Sequence, residues 1–193
     1  MKNNSYIEKH EEQCKEVIQY IIEYLIYGDK HDPNVFDLFC EYNFMNEFIY
    51  LSNMNNRTMN LQIIKSFSVL ILNMTNTTTL YYIFSNNFIN QIISNDYEKY
   101  DDEFVSYYIN FIKSLSLKID TTTVQFFFHK QVNSFPLLQS ALKMYNHTDP
   151  MIKNVVRNII LTILKSNYSL FINVTVYTLS QARTYHGLFR KSP

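Results

Sequence analysis

NFMNEFI occupies Asn43–Ile49, and NFINQII occupies Asn87–Ile93, 44 positions later. The likeness extends upstream. DPNVFDLFC begins at Asp32, TTTLYYIFS at Thr77 and TTTVQFFFH at Thr121, and aligning Val35, Leu80 and Val124 gives steps of 45 and 44 residues. Longer periodic segments, 57–72 and 101–117, precede the second and third copies. In the latter, Phe104, Tyr108, Phe111 and Leu115 recur at steps of four, three and four, which puts them on one helical face.

One unit is therefore a long helix, a capped second helix and a short third helix starting near Asn43 or Asn87. Units begin near residues 12, 57, 101 and 150. A period of about 44 residues falls within the roughly 40–47 of HEAT and armadillo units, and a single such unit cannot bury its own apolar face. The sequence thus predicts an all-α, armadillo/HEAT-like helical-repeat solenoid. Residues 1–11 form a polar lead, 12–167 the repeat domain, and 168–193 a divergent cap or tail. The third short helix, within NSFPLLQSALKMY, arrives late and carries Pro136, so a longer connection is expected there.

Helix ends are marked by local chemistry. Asp32-Pro33 and Asp149-Pro150 read as an N-cap followed by proline in the first turn. The threonines at 77–79 and 121–123 offer capping hydroxyls, and Asp101, Asp102 and Glu103 complement a helix dipole. Gly28 follows the apolar pattern Val17, Ile21, Tyr24 and Leu25, and suits a left-handed C-cap. Ser85–Asn87 reads as a turn with local side-chain caps.

Composition narrows the function. Two glycines and four prolines in 193 residues disfavour a turn-rich sheet, and 47% hydrophobic with 18% charged residues is a globular balance. Seventeen basic and 17 acidic side chains give zero formal charge, without the basic excess of a nucleic-acid binder. The abundance of Asn, Ile, Tyr, Phe and Lys reads as A/T-rich codon bias. The first twenty residues lack the apolar core of a secretory signal. The most apolar run, Val155 to Val176, is interrupted by Arg157, Lys165 and Asn167, which argues against a spanning helix.

No constellation points to catalysis, metal or cofactor. His10 and Cys14 share a helical face but are only two ligands. His129 and His147 lack a nucleophile and orienting partner at a recognisable spacing. Cys40 reads as a buried small hydrophobe, and two glycines allow no phosphate loop. Surface candidates remain. Tyr81-Tyr82 and Tyr107-Tyr108 cannot both face inward, so Tyr82 and Tyr107 are placed on a partner-binding surface. Lys153 and Arg157, four apart, add a small basic face suited to an acidic partner peptide.

Several blocks resemble the FPL domain, the N-terminal domain of the endosomal maturation defective / C-type lectin domain family 16 member A family. EYLIYGDKHDPNVFDLFCEYNF supplies Gly28-Asp29 and Val35-Phe36, and TLYYIFSNNFINQII supplies Tyr81 and Tyr82. YYINFIKSLSLKIDTTTVQFFF includes Phe111 and Lys113, Phe135-Pro136-Leu137 is the naming tripeptide, and MIKNVVRNI contains Arg157. The likeness runs from about residue 17 to 165; Tyr27 stands where the family commonly has tryptophan, and family members are usually much longer. The resemblance implies a non-catalytic scaffold regulating endosome and lysosome maturation, vesicle trafficking, autophagy and mitophagy. It implies cytoplasmic placement, peripheral on endosomal, lysosomal or Golgi membranes through partners such as a small GTPase or tethering subunit. The alternative it leaves is an adaptor positioning substrates for ubiquitin ligation.

Overall fold

In the computed structural model, which describes residues 2–95, 97, 100–129 and 134–166, the two repeated segments begin at equivalent turns. Asn43 and Asn87 both have left-handed backbones, with φ of 55° and 62°. Asparagine tolerates that region better than other side-chain-bearing residues. Each also uses its side chain: Asn46 Nδ2 donates to Asn43 Oδ1 at 2.8 Å, and Asn90 Nδ2 to Asn87 Oδ1 at 3.0 Å. The asparagines of the repeat are conformational, whatever biases the rest of the composition.

The helices follow the expected rhythm. After α1 (Lys2–Lys9) come α2 (Glu11–His31), α3 (Asn34–Glu41) and α4 (Phe44–Ser52). The second set is α5 (Arg57–Asn73), α6 (Thr77–Phe84) and α7 (Phe88–Ser94). Then follow α8 (Asp102–Ser116), a 3₁₀ turn (Val124–Phe127), α9 (Pro136–Lys143) and α10 (Pro150–Ser166). The chain is all-helical: among the described residues there is no strand, and His129 and Ser134 form an isolated bridge. The long helices α2, α5, α8 and α10 pack side by side in that order, and so do α4, α7 and α9. Phe48, Phe67, Phe84, Phe104, Phe111 and Phe127 are fully buried among them. Phe48 meets Phe67 edge-on at 5.4 Å, and Phe84 lies 5.0 Å from Phe127. The expected tail at 168–193, and Val155–Val176 beyond residue 166, lie outside the described residues.

Caps act largely as the sequence predicts. Asp101 accepts from the Phe104 amide, Asp32 from the Asn34 amide and Asp149 from the Met151 amide, and α10 starts at Pro150. The threonine runs differ. Asn76 caps α6 by accepting from the Thr78 amide at 2.8 Å, because a side-chain amide one residue earlier is the better cap. At the third run, Asp120 Oδ1 accepts from the amides of Thr122 and Thr123 and from both hydroxyls. This side-chain-centred turn leaves only a 3₁₀ segment where a second helix is expected.

Gly28 is not a left-handed cap. It lies inside α2, and among the described residues no glycine has positive φ. The helix continues to His31 and stops because Asp32, preceding Pro33, is forced into an extended conformation (φ −150°). Gly28 serves close approach instead: a Cβ there would lie 2.7 and 2.8 Å from the two γ carbons of Val35 on α3. The apolar stripe of α2 is also shifted. Ile18, Ile22, Leu25 and Gly28 face inward, whereas Val17 and Tyr24 are exposed. Two adjacent stripes of this helix are apolar, and the tyrosines take the wet one because their hydroxyls tolerate water.

Replacing Phe111 or Phe127 by alanine is expected to lower stability by about 3–5 kcal/mol; an unmoved urea midpoint would remove them from the core. Gly28→Ala is expected to cost about 1–3 kcal/mol by overpacking, despite alanine's higher helix propensity. Adding Val35→Gly, which removes the Cβ that a methyl at position 28 would meet first, should make the combined loss smaller than the sum of the single losses in the same assay. Additive losses would show that the two side chains do not meet.

Candidate interaction surface

Polar bridges tie each set of helices to the next at offsets close to the repeat period. Asp29 Oδ2 accepts from the Thr75 amide and hydroxyl, each at 2.8 Å, and from the Asn76 amide at 3.1 Å. Lys118 Nζ donates to the Met74 carbonyl at 3.1 Å, and the Arg57 guanidinium spans Asp101 and Glu103 at 2.8 and 2.9 Å. The bridge at Arg57 joins the starts of α5 and α8, and the one at Met74 joins their ends. The two helices therefore run parallel.

Against this frame, most residues of the resemblance are architectural. Gly28 and Val35 close α2 on α3, and Asp29 holds the next loop. Tyr82 is half-buried: its ring meets Phe36 edge-on at 5.5 Å and lies 6.4 Å from Phe39, and the Cys40 thiol is among the groups that act on its hydroxyl. Burial raises both of those groups above their ordinary values. Tyr81 is the exposed member of its pair, within 3.2 Å of the Thr122 hydroxyl. Phe111 is buried, as are Phe135, Pro136 and Leu137, whose proline opens α9. Lys113 and Arg157 face solvent.

Of the surface candidates, Tyr107, Lys153 and Arg157 stand on neighbouring helices, α8 and α10. Tyr82, on α6, belongs to a different cluster. Lys65 of α5 lies over the Tyr107 ring at 4.0 Å, and the Arg157 guanidinium lies 5.9 Å from the Tyr145 ring. Sequence reasoning missed Lys65; its signal was the register, since it sits 45 positions before Asn110 on the exposed face of α8. It also missed Tyr97, buried against Phe104 and Tyr108 at 5.1 and 4.9 Å, because it lies between helices and outside any periodic pattern.

The remaining candidates are local. His10 Nδ1 is 2.8 Å from Gln13 Oε1, and His147 Nδ1 accepts from the Asp149 amide at 3.1 Å, beside the start of α10. A cleft between α7, α8 and α9, lined by Tyr97, Tyr108, Pro136 and Met144, holds about 130 Å³. Small-molecule sites usually occupy roughly 300–1,000 Å³; this cleft is smaller, whereas an open groove between α1 and the start of α5, lined by Ile7, Glu8, Glu11, Met54 and Arg57, holds about 360 Å³. Among the described residues no helix is long and apolar enough to cross a membrane.

A family profile named FPL, described as "Uncharacterised conserved protein", matches residues 18–164. The chain belongs to the FPL family. It is 38% identical over 165 residues to Protein CLEC16A of Homo sapiens, covering 85% of this FPL chain and 16% of that protein. It is 37% identical over 164 residues to the CLEC16A homolog of Caenorhabditis elegans, covering 85% and 18%. It is 32% identical over 152 residues to Protein TRANSPARENT TESTA 9 of Arabidopsis thaliana, covering 77% and 18%. The FPL chain thus spans less than a fifth of the length of these relatives. No solved structure matches it.

Three carboxylates make this framework pH-sensitive: Asp101, held below the ordinary range by the Arg57 guanidinium and the Phe104 amide, Asp29 at the first joint, and Asp120 in its local turn. Burial alone would raise Asp29, but the bonds from Thr75 and Asn76 prevail and hold it below the ordinary carboxylate range. Asp120 is pulled down to about 2, first by the Thr122 hydroxyl and then by the Thr123 amide. A depressed folded pKa gives stability that is complete above the unfolded value of about 3.9 and is lost as pH falls through the folded one. Unfolding midpoints should therefore fall between about pH 4 and pH 2, and Asp120→Asn should flatten that decline. An unchanged acid limb in the variant would mean that Asp120 titrates alike in both states.

Proposed function

We propose that this FPL chain is a non-catalytic binding scaffold in membrane trafficking and autophagy, acting at endosomal and lysosomal membranes through partner proteins. The observation that carries this reading is the pairing of FPL membership over 18–164 with a succession of packed helices that offer broad solvent faces. We read the succession of long and short helices as an armadillo-like solenoid over 12–167, a form that adds binding surface unit by unit without new chemistry. The mechanism is display: a rigid helical surface holds a small GTPase or tethering subunit beside a membrane to which the chain itself is only peripheral. The family-motif residues are assigned to this framework, and Tyr107, Lys153 and Arg157 to the displayed surface.

Proximity labelling from a tagged copy at native expression tests the reading. Enrichment of endolysosomal tethers and Rab-type GTPases over a tag-only control is expected. Enrichment of ubiquitin-transfer machinery alone would replace it with the adaptor role in ubiquitin ligation, and no enrichment above control would overturn both.

A further inference from the structure

The wet stripes of the long helices carry the same kind of residue at the same register. Tyr27 of α2, Leu72 of α5, Leu117 at the end of α8 and Leu161 of α10 follow one another at steps of 45, 45 and 44 residues. All four are exposed, at 57, 53, 61 and 52%. Nothing within the fold requires apolar side chains at these positions, since each helix already buries its opposite stripe. The parallel run of α5 and α8 sets Leu72 and Leu117 at the same end of adjacent helices, and α10, which carries Leu161, packs against α8.

Charge on this face is one-sided. Lys65, Lys113, Arg157 and Lys165 lie along the solvent stripes of α5, α8 and α10. Neither α5 nor α10 contains a carboxylate; of the two on α8, Glu103 is engaged by Arg57, and Asp102 stands on the exposed stripe at the helix start, three turns before Lys113. Among the described residues none of those four cations has a carboxylate partner, and Lys65 is instead settled on the Tyr107 ring. By contrast, α2 carries Glu12, Glu16 and Glu23 on its exposed side. The face from α5 to α10 is therefore complementary to an acidic ligand.

Spacing identifies the form of that ligand. Packed helices lie roughly 8–10 Å apart, so successive leucines of the row are separated by about that distance. A partner helix rises about 10.5 Å in seven residues, so one laid across the row would meet each leucine with every seventh side chain. Asn110, Asn154 and Asn158 stand between the apolar positions. Their amides need hydrogen-bond partners when covered, which a polypeptide supplies and lipid chains do not. We propose that the solvent face of α5, α8 and α10 docks an acidic amphipathic helix of a partner protein. Its apolar residues, seven apart, sit on Leu72, Leu117 and Leu161, and its carboxylates meet Lys65, Lys113 and Arg157.

This assignment rests on the scaffold reading, and the two can fail separately. The probe is a labelled synthetic helix with three leucines seven residues apart, flanked by glutamates, titrated onto the full chain by fluorescence anisotropy. Saturable binding is expected, weakened about tenfold by Lys113→Glu with Arg157→Glu, the scale of two interfacial charge pairs. Glutamine in place of the glutamates should weaken it similarly, and Lys9→Glu should leave it unchanged. Circular dichroism checks that the double variant stays folded; if it does not, the glutamine peptide and a Leu117→Ser variant decide by the same criterion. Absent binding, binding indifferent to these changes, or equal binding of a peptide with its leucines five apart overturns the proposal. So does charge-dependent binding to phosphatidylserine vesicles without peptide binding, which would make the face a membrane contact. Were the peptide to fail while proximity labelling still enriched trafficking proteins, the scaffold reading would stand and only this face would be lost.

Discussion

The turn from the second to the third helix of a unit enters that helix from a residue with positive φ, and everything downstream is oriented by it. That residue is Asn43 in the first unit and Asn87, preceded by a left-handed Asn86, in the second. Both then fasten the first turn of the next helix through Asn46 and Asn90. Asn90 extends the link by donating to the Phe126 carbonyl at 2.9 Å, so the turn of one unit also sets the position of the next. Where the asparagine-phenylalanine motif is missing, in the third unit, the second helix shrinks to the 3₁₀ segment Val124–Phe127 and α9 begins on a proline.

Much of this was legible in the sequence because the signals were local. The 44-residue echo, the alternating steps of Phe104, Tyr108, Phe111 and Leu115, and the aspartates before Pro33 and Pro150 each report on a few neighbouring residues. What escaped was decided by distant partners. Gly28 looks like a helix stop, yet the stop is imposed by Pro33, and the glycine is explained only by Val35 across the α2–α3 contact. Likewise the choice between the two apolar stripes of α2 depends on which one meets α5. The asparagines, discounted as compositional bias, turned out to be selective at the turns, a distinction that only backbone angles make.

The surface was legible in part. Tyr107, Lys153 and Arg157 were picked as isolated features, and the fold places them on neighbouring helices. Tyr82 entered the same group from its position in a Tyr-Tyr pair, but helix α6 turns it toward Phe36 and Cys40, leaving Tyr81 outside. Lys65 stayed invisible because its distinguishing property is the ring beneath it, supplied by another helix. The tripeptide Phe135-Pro136-Leu137 is buried, and in this chain it starts and seats α9.

The bridges between units also bear on how the chain reaches this state. Asp29 waits for Thr75, Arg57 for Asp101 and Met74 for Lys118, so each joint closes when roughly one further unit of chain has been made. A polypeptide emerging from the ribosome can therefore settle unit by unit from its N-terminal end, with only short stretches of apolar surface open at any moment. In relatives several times longer, such vectorial closure would let this region finish folding before the bulk of the protein exists.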